Sequence, residues 1–102
     1  MLQDVWIGWL ELDLLLGDVH SLKEKRSVVR PLVAELRRRF DVSVAETGNQ
    51  DLHRRAELGV ALVAGESGHC HEVLDGCERL LATRPEIFIL SAHRRVWDDA
   101  DE

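Results

Sequence analysis

The chain has 102 residues, 45% of them apolar, 31% charged and 5% aromatic, a composition that fits one globular domain and excludes a fibrous array or a disordered chain. No run of about 18 apolar residues occurs, and Met1 to Leu16 lacks a basic leader and carries Asp4, Glu11 and Asp13, so the sequence predicts no spanning helix and no signal peptide and places the protein in the cytoplasm. The formal charge is −6, but four acids sit at Asp98, Asp99, Asp101 and Glu102 and the body without them stands at −2, which argues against broad coating of nucleic acid.

From Val5 to Leu16 the residues alternate, with Trp6, Leu10, Leu12, Leu14 and Leu16 on one face and Glu11 and Asp13 on the other, the period of a half-buried strand that Gly17-Asp18 ends. Ser21-Leu22-Lys23-Glu24 has the form of a capping box, and Leu22, Val29, Val33, Leu36 and Phe40 follow at helical spacing, which predicts a helix over Ser21 to Phe40. Pro31 lies inside it, removes the bond to Ser27 and is expected to bend the helix there. Val42, Val44 and Glu46 alternate up to Gly48-Asn49-Gln50-Asp51, and Ala56, Leu58, Val60, Leu62 and Ala64 alternate after it, a β-hairpin. Ser67 to Arg84 returns to helical spacing through Cys70, Val73, Leu74, Cys77, Leu80 and Leu81 until Pro85 stops it. A last strand, Glu86 to about Trp97, is expected to set Phe88, Leu90 and Ala92 toward the core. The order βαββαβ predicts an α+β, ferredoxin-like fold, a four-stranded antiparallel sheet with two helices on one face. It makes residues 1–97 one domain and leaves the acidic end, residues 98–102, frayed.

No metal site is expected. His69, Cys70, His71 and Cys77 tempt that reading, but on one helix His69 and His71 point about 160° apart, and the two cysteines share the apolar seam of a helical core. With only these two cysteines, a secreted disulfide framework is absent. His20, His53 and His93 are scattered over two loops and a strand. No Gly-rich phosphate loop, nucleophile elbow or zinc-protease motif occurs, and Glu11 and Asp13 fit a solvated strand face, so no catalytic residue, cofactor or enzymatic activity is expected. Acylphosphatases share the architecture but need an arginine phosphate cradle, and the loop Gly17 to His20 has no arginine.

Two surfaces remain. The open sheet face carries Ile7, Trp9, Val63 and Ile89 as a candidate interface for a homodimer, whereas its single aromatic on the central strands and its acids Glu11 and Asp13 argue against the base stacking of RNA-recognition modules. The first helix holds seven of the thirteen basic residues, and a helical wheel places Lys23, Arg26, Arg30 and Arg37 within about 60° along one flank. Lys23, Lys25 and Arg26 stand in the first turns, where the helix dipole disfavours cations unless an anion binds, so Lys23, Lys25, Arg26, Arg30 and Arg37 are candidate contacts for RNA phosphate. The competing reading is that these cations exchange salt bridges with His71, Glu72, Asp75 and Glu78 of the second helix.

Three segments, His20-Ser21-Leu22-Lys23-Glu24-Lys25-Arg26, Val42-Ser43-Val44-Ala45-Glu46 and Gln50-Asp51-Leu52 with Arg55-Ala56, resemble the YlxP-like family of small bacterial proteins, a domain of unknown function. The likeness runs from about Val5 to Trp97. It implies a ferredoxin-like fold in a bacterial cytoplasmic protein. Because members are often encoded among translation factors, it also implies a partner in ribosomal RNA or a ribosome-associated protein. It supplies no catalytic residue. Where family members commonly carry an aromatic after the Gln-Asp-Leu segment this chain has His53, so a role that depends on that aromatic is not carried over from the resemblance.

Overall fold

Leu10, Leu12, Leu14 and Leu16 are completely buried, as period-two leucines are when their strand runs through the middle of a sheet covered on one side. That strand, β1 (Trp6–Leu16), pairs antiparallel with β3 (Arg55–Ala64) on one side and β4 (Ile87–Trp97) on the other, and β2 (Ser43–Gly48) closes the far edge against β3. The computed structural model describes residues 4–100. In it the strands lie in the order β2-β3-β1-β4, and α1 (Leu22–Phe40) and α2 (Ser67–Ala82) pack on the leucine face. This is the ferredoxin-like α+β fold.

Local chemistry sets the ends of α1. The Ser21 hydroxyl accepts the Glu24 N–H at 3.0 Å, and the Glu24 carboxylate reaches back to the His20 N–H at 2.8 Å, one residue beyond the usual capping box. At the other end Asp41 takes the left-handed conformation, φ 52°, and its N–H donates to Arg37 O. The helix is continuous through Pro31. Its inward row is Lys25, Val29, Leu32 and Leu36, while α2 turns in Cys70, Leu74, Cys77, Leu80 and Leu81. Two glycines allow close approach. A Cβ on Gly8 of β1 would lie 2.7 Å from Leu62 Cδ2 and 3.2 Å from Cys70 Cβ, and one on Gly76 of α2 would lie 2.5 Å from the Phe40 ring.

The last strand departs from simple alternation. Asp13 pairs with Ser91 but Leu14 pairs with Ile89, so Leu90 is an extra residue bulged out of the ladder. A bulge moves every residue before it to the other face. Ile87 is therefore buried and Ile89 packs against the core, whereas Phe88 and Leu90, expected inside, are exposed. Beyond the strand, Ala100 N–H donates to Asp98 Oδ1 in a turn. The remaining two residues of the acidic end, 101–102, lie outside the described residues.

Cys70 and Cys77 are free and fully buried. Seven helical residues separate them by about 10.5 Å of rise, beyond the roughly 4.4 to 6.8 Å between Cα atoms that a disulfide allows. Burial raises both thiol pKa values, Cys77 to about 11. Native protein at neutral pH should therefore label slowly with a thiol reagent at both sites; rapid labelling would contradict the packing. The thiols remain neutral in the folded state above the ordinary value of 9.0, where the unfolded chain ionises. Their contribution to stability should therefore be intact below about pH 9 and fall as pH rises toward 11 in denaturant titrations.

Candidate functional site

The basic residues of α1 divide into two groups. Lys25 points inward, 2% exposed. It donates a 2.7 Å hydrogen bond to the carbonyl of Asn49, and its Nζ lies 2.8 Å from Glu46 Oε2. That oxygen is buried and receives no hydrogen bond among the described residues, so the contact with Lys25 is an ion pair off the hydrogen-bonding direction. The register explains the meeting: Glu46 pairs with Leu58 and so lies on the inward side of β2, beneath the first turns of α1. Asn49, held at φ 57°, turns the chain out of β2 and sends its side-chain amide to Glu57 at 3.3 Å. Lys25 thus ties α1 to the β2–β3 connection, and it is not an exposed anion contact as the basic row suggested.

Arg37 is also engaged, since its guanidinium donates to the carbonyl of Val44 in β2. The contact fixes the direction of the basic flank, which faces the β2 edge. On the α2 side stand different residues: Glu35, ion-paired with Arg84, and Phe40 against Gly76. Lys23, Arg26 and Arg30 are exposed, line one shallow depression with Ser27 and Pro31, and have no acidic partner among the described residues. The expected exchange of salt bridges with α2 is absent among the described residues, because the α2 acids turn to β4: Asp75 and Glu78 contact Arg94 at 2.8 and 3.2 Å, with His71 Nδ1 at 3.2 Å from the same guanidinium.

The open sheet face is apolar at its two ends, with Leu15 beside the exposed Phe88 at one and a wider patch at the other. Cross-strand rows there are Val63, Ile7 and Trp97, then Ala61, Trp9 and Arg95, with the Arg95 guanidinium 4.6 Å from the Trp97 ring centre. The next rows turn polar through Glu11 beside His93 and Asp13 beside Glu57, and Asp13 is held by Arg55. Ile7, Trp9 and Val63 lie on this face as expected. Ile89 does not: the bulge at Leu90 puts it on the helix side, where it packs against the core and lines a depression with Asp75, Glu78 and Arg79. Among the described residues no group of three His, Cys, Asp or Glu side chains is placed to hold a metal ion, and no helix is long and apolar enough to cross a membrane.

Residues 7–94 match the family model described as a protein of unknown function, DUF503. The chain belongs to this family. It is also similar to the uncharacterized protein YlxP of Bacillus subtilis (strain 168), 32% identical over 81 residues that span 79% of this chain and 88% of that protein. The segments that carry the family likeness meet in space: Lys25 comes from the first, Glu46 from the second, and Asn49 immediately precedes the third. Wheel arithmetic holds a signal for this, because Lys25 shares the i, i+4, i+7, i+11 row of Val29, Leu32 and Leu36, and Glu46 continues the inward period of Val42 and Val44.

Removing one member of a fully buried ion pair costs about 3 to 5 kcal/mol. Glu46 is 28% exposed on its side chain, so water can take over part of the lost interaction. Lys25→Met is therefore expected to destabilise the protein by about 2 to 3 kcal/mol in urea unfolding. A loss under about 0.5 kcal/mol, the size of an exposed pair, would show that the contact carries little.

Proposed function

We propose that the protein is a non-enzymatic accessory protein that associates with ribosomal RNA, holding its phosphates on the exposed flank of α1 through Lys23, Arg26 and Arg30. The observation that carries this reading is that three cations on one helix face have no acidic partner among the described residues, although nineteen acids are present in the chain. Lys23 stands in the first turn, where the positive end of the helix dipole penalises a cation by about 0.3 to 1 kcal/mol at low salt. Bound phosphate reverses that penalty, since it neutralises both the side chain and the helix terminus. The sheet is the weaker candidate for RNA, because Glu11, Asp13 and Glu57 line its middle and would repel a phosphate chain. A second reading, pairing of two copies through the open face, draws support from the end of that face, where Val63 is 68% exposed next to Ile7.

Replacing Lys23, Arg26 and Arg30 together by glutamine should leave the melting temperature within about 2 °C, because exposed charges contribute little to stability. The same change should weaken co-sedimentation with ribosomal subunits and reduce the slope of log affinity against log salt by roughly 0.7 to 0.9 per lost contact. Trp9→Ala should alter RNA affinity far less. A silent triple variant with a damaging Trp9→Ala would place the RNA on the sheet, and wild-type protein that fails to co-sediment at low salt would overturn the reading. A dimer in sedimentation equilibrium that Trp9→Ala dissociates would support the pairing of copies.

A further inference from the structure

We infer that the ligand of the α1 flank is the backbone of base-paired RNA and not a single strand; the inference rests on the reading of that flank as an RNA-phosphate site. Proteins hold single strands by combining cations with aromatic rings on which bases stack, whereas duplex RNA is met through its phosphates and shape. The depression formed by Lys23, Arg26, Ser27, Arg30 and Pro31 contains no aromatic side chain. The chain has three Trp, two Phe and no Tyr, and their positions separate them from it. Trp9 and Trp97 lie on the sheet face opposite the helices, with Arg95 already over the Trp97 ring. Phe88 is on that same open face beside Leu15, Trp6 is at the start of β1, and Phe40 packs on Gly76 of α2. The imidazole nearest Lys23 in the sequence, His20, has its Nε2 held by Asp18, and no Trp or Phe stands beside the three cations for a splayed base to stack on.

The flank is also rigid. Lys25 is buried beneath it at one end, Arg37 is bonded to Val44 at the other, and Asp41 caps the last turn. Lys23 and Arg30 are therefore held about 10.5 Å apart along the helix axis, with Arg26 between them. A fixed row of charges suits a stiff ligand whose phosphates are themselves fixed, and a flexible strand would have to be ordered along it with no stacking in return.

The experiment is fluorescence anisotropy of the full chain with a short RNA duplex, a uridine oligomer of the same length and a DNA duplex of the same sequence, each across a range of salt. The RNA duplex is expected to bind at least about tenfold more tightly than the uridine oligomer. The Lys23→Gln, Arg26→Gln, Arg30→Gln variant should lose about 0.9 of salt slope per contact on the duplex, so that the fourfold rise from 50 to 200 mM salt costs the three contacts about fortyfold in affinity in the wild type. Equal or tighter binding of the uridine oligomer would overturn the assignment to duplex while leaving the phosphate reading intact. A DNA duplex held as tightly as the RNA duplex would overturn the restriction to RNA. Failure of every nucleic acid to bind at low salt would overturn the phosphate reading itself.

Discussion

The contact on which the candidate site depends is the buried amine of Lys25 between the Asn49 carbonyl and the Glu46 carboxylate. A charged amine leaves water at a cost of several kcal/mol unless its new partners compensate, and here the partners come from the far end of β2 and the turn that follows it. Satisfying Lys25 therefore fixes the rotation of α1 about its axis and the height of its first turns above the sheet. Val29, Leu32 and Leu36 then fall into the core shared with the leucines of β1, and Lys23, Arg26 and Arg30 are turned outward. Lys23 and Arg26 are exposed because Lys25 is not.

That rotation also decides which charges meet. On the α2 side Glu35 pairs with Arg84, and the α2 acids are drawn to Arg94 of β4. Arg37 on the opposite flank reaches the β2 edge instead of an acid. Although acids outnumber basic residues nineteen to thirteen, the row of Lys23, Arg26 and Arg30 has no acidic partner among the described residues. An acidic protein can present a local anion site in this way, while its overall charge suppresses indiscriminate adhesion to nucleic acid.

Most of the fold was legible in the sequence because its signals are local. Alternating leucines in β1, the Ser21 to Glu24 cap and the Asn49 turn each act within a few residues, and each fixes an element in the chain order of a ferredoxin-like domain. What escaped depends on pairing between distant segments. Nothing in Glu86 to Trp97 marks the bulge at Leu90, which arises from the register against Asp13 and Leu14, so Phe88 and Leu90 were set inside and Ile89 was set on the open face. The five candidate anion contacts shared a charge sign and a helix; only long-range contacts separate Lys25 and Arg37 from Lys23, Arg26 and Arg30. The burial of Lys25 is legible in its place in the apolar row of α1, with Val29, Leu32 and Leu36.

Lys23 and Lys25 are the two lysines in the chain, so amine modification of the native protein, mapped by peptide mass spectrometry with and without RNA, addresses both halves of the account at once. Lys23 should be modified fast and bound RNA should slow it, while Lys25 should stay protected in both conditions until denaturant is added. Equal rates at the two lysines would contradict the buried anchor, and a Lys23 rate indifferent to saturating RNA would contradict the binding flank.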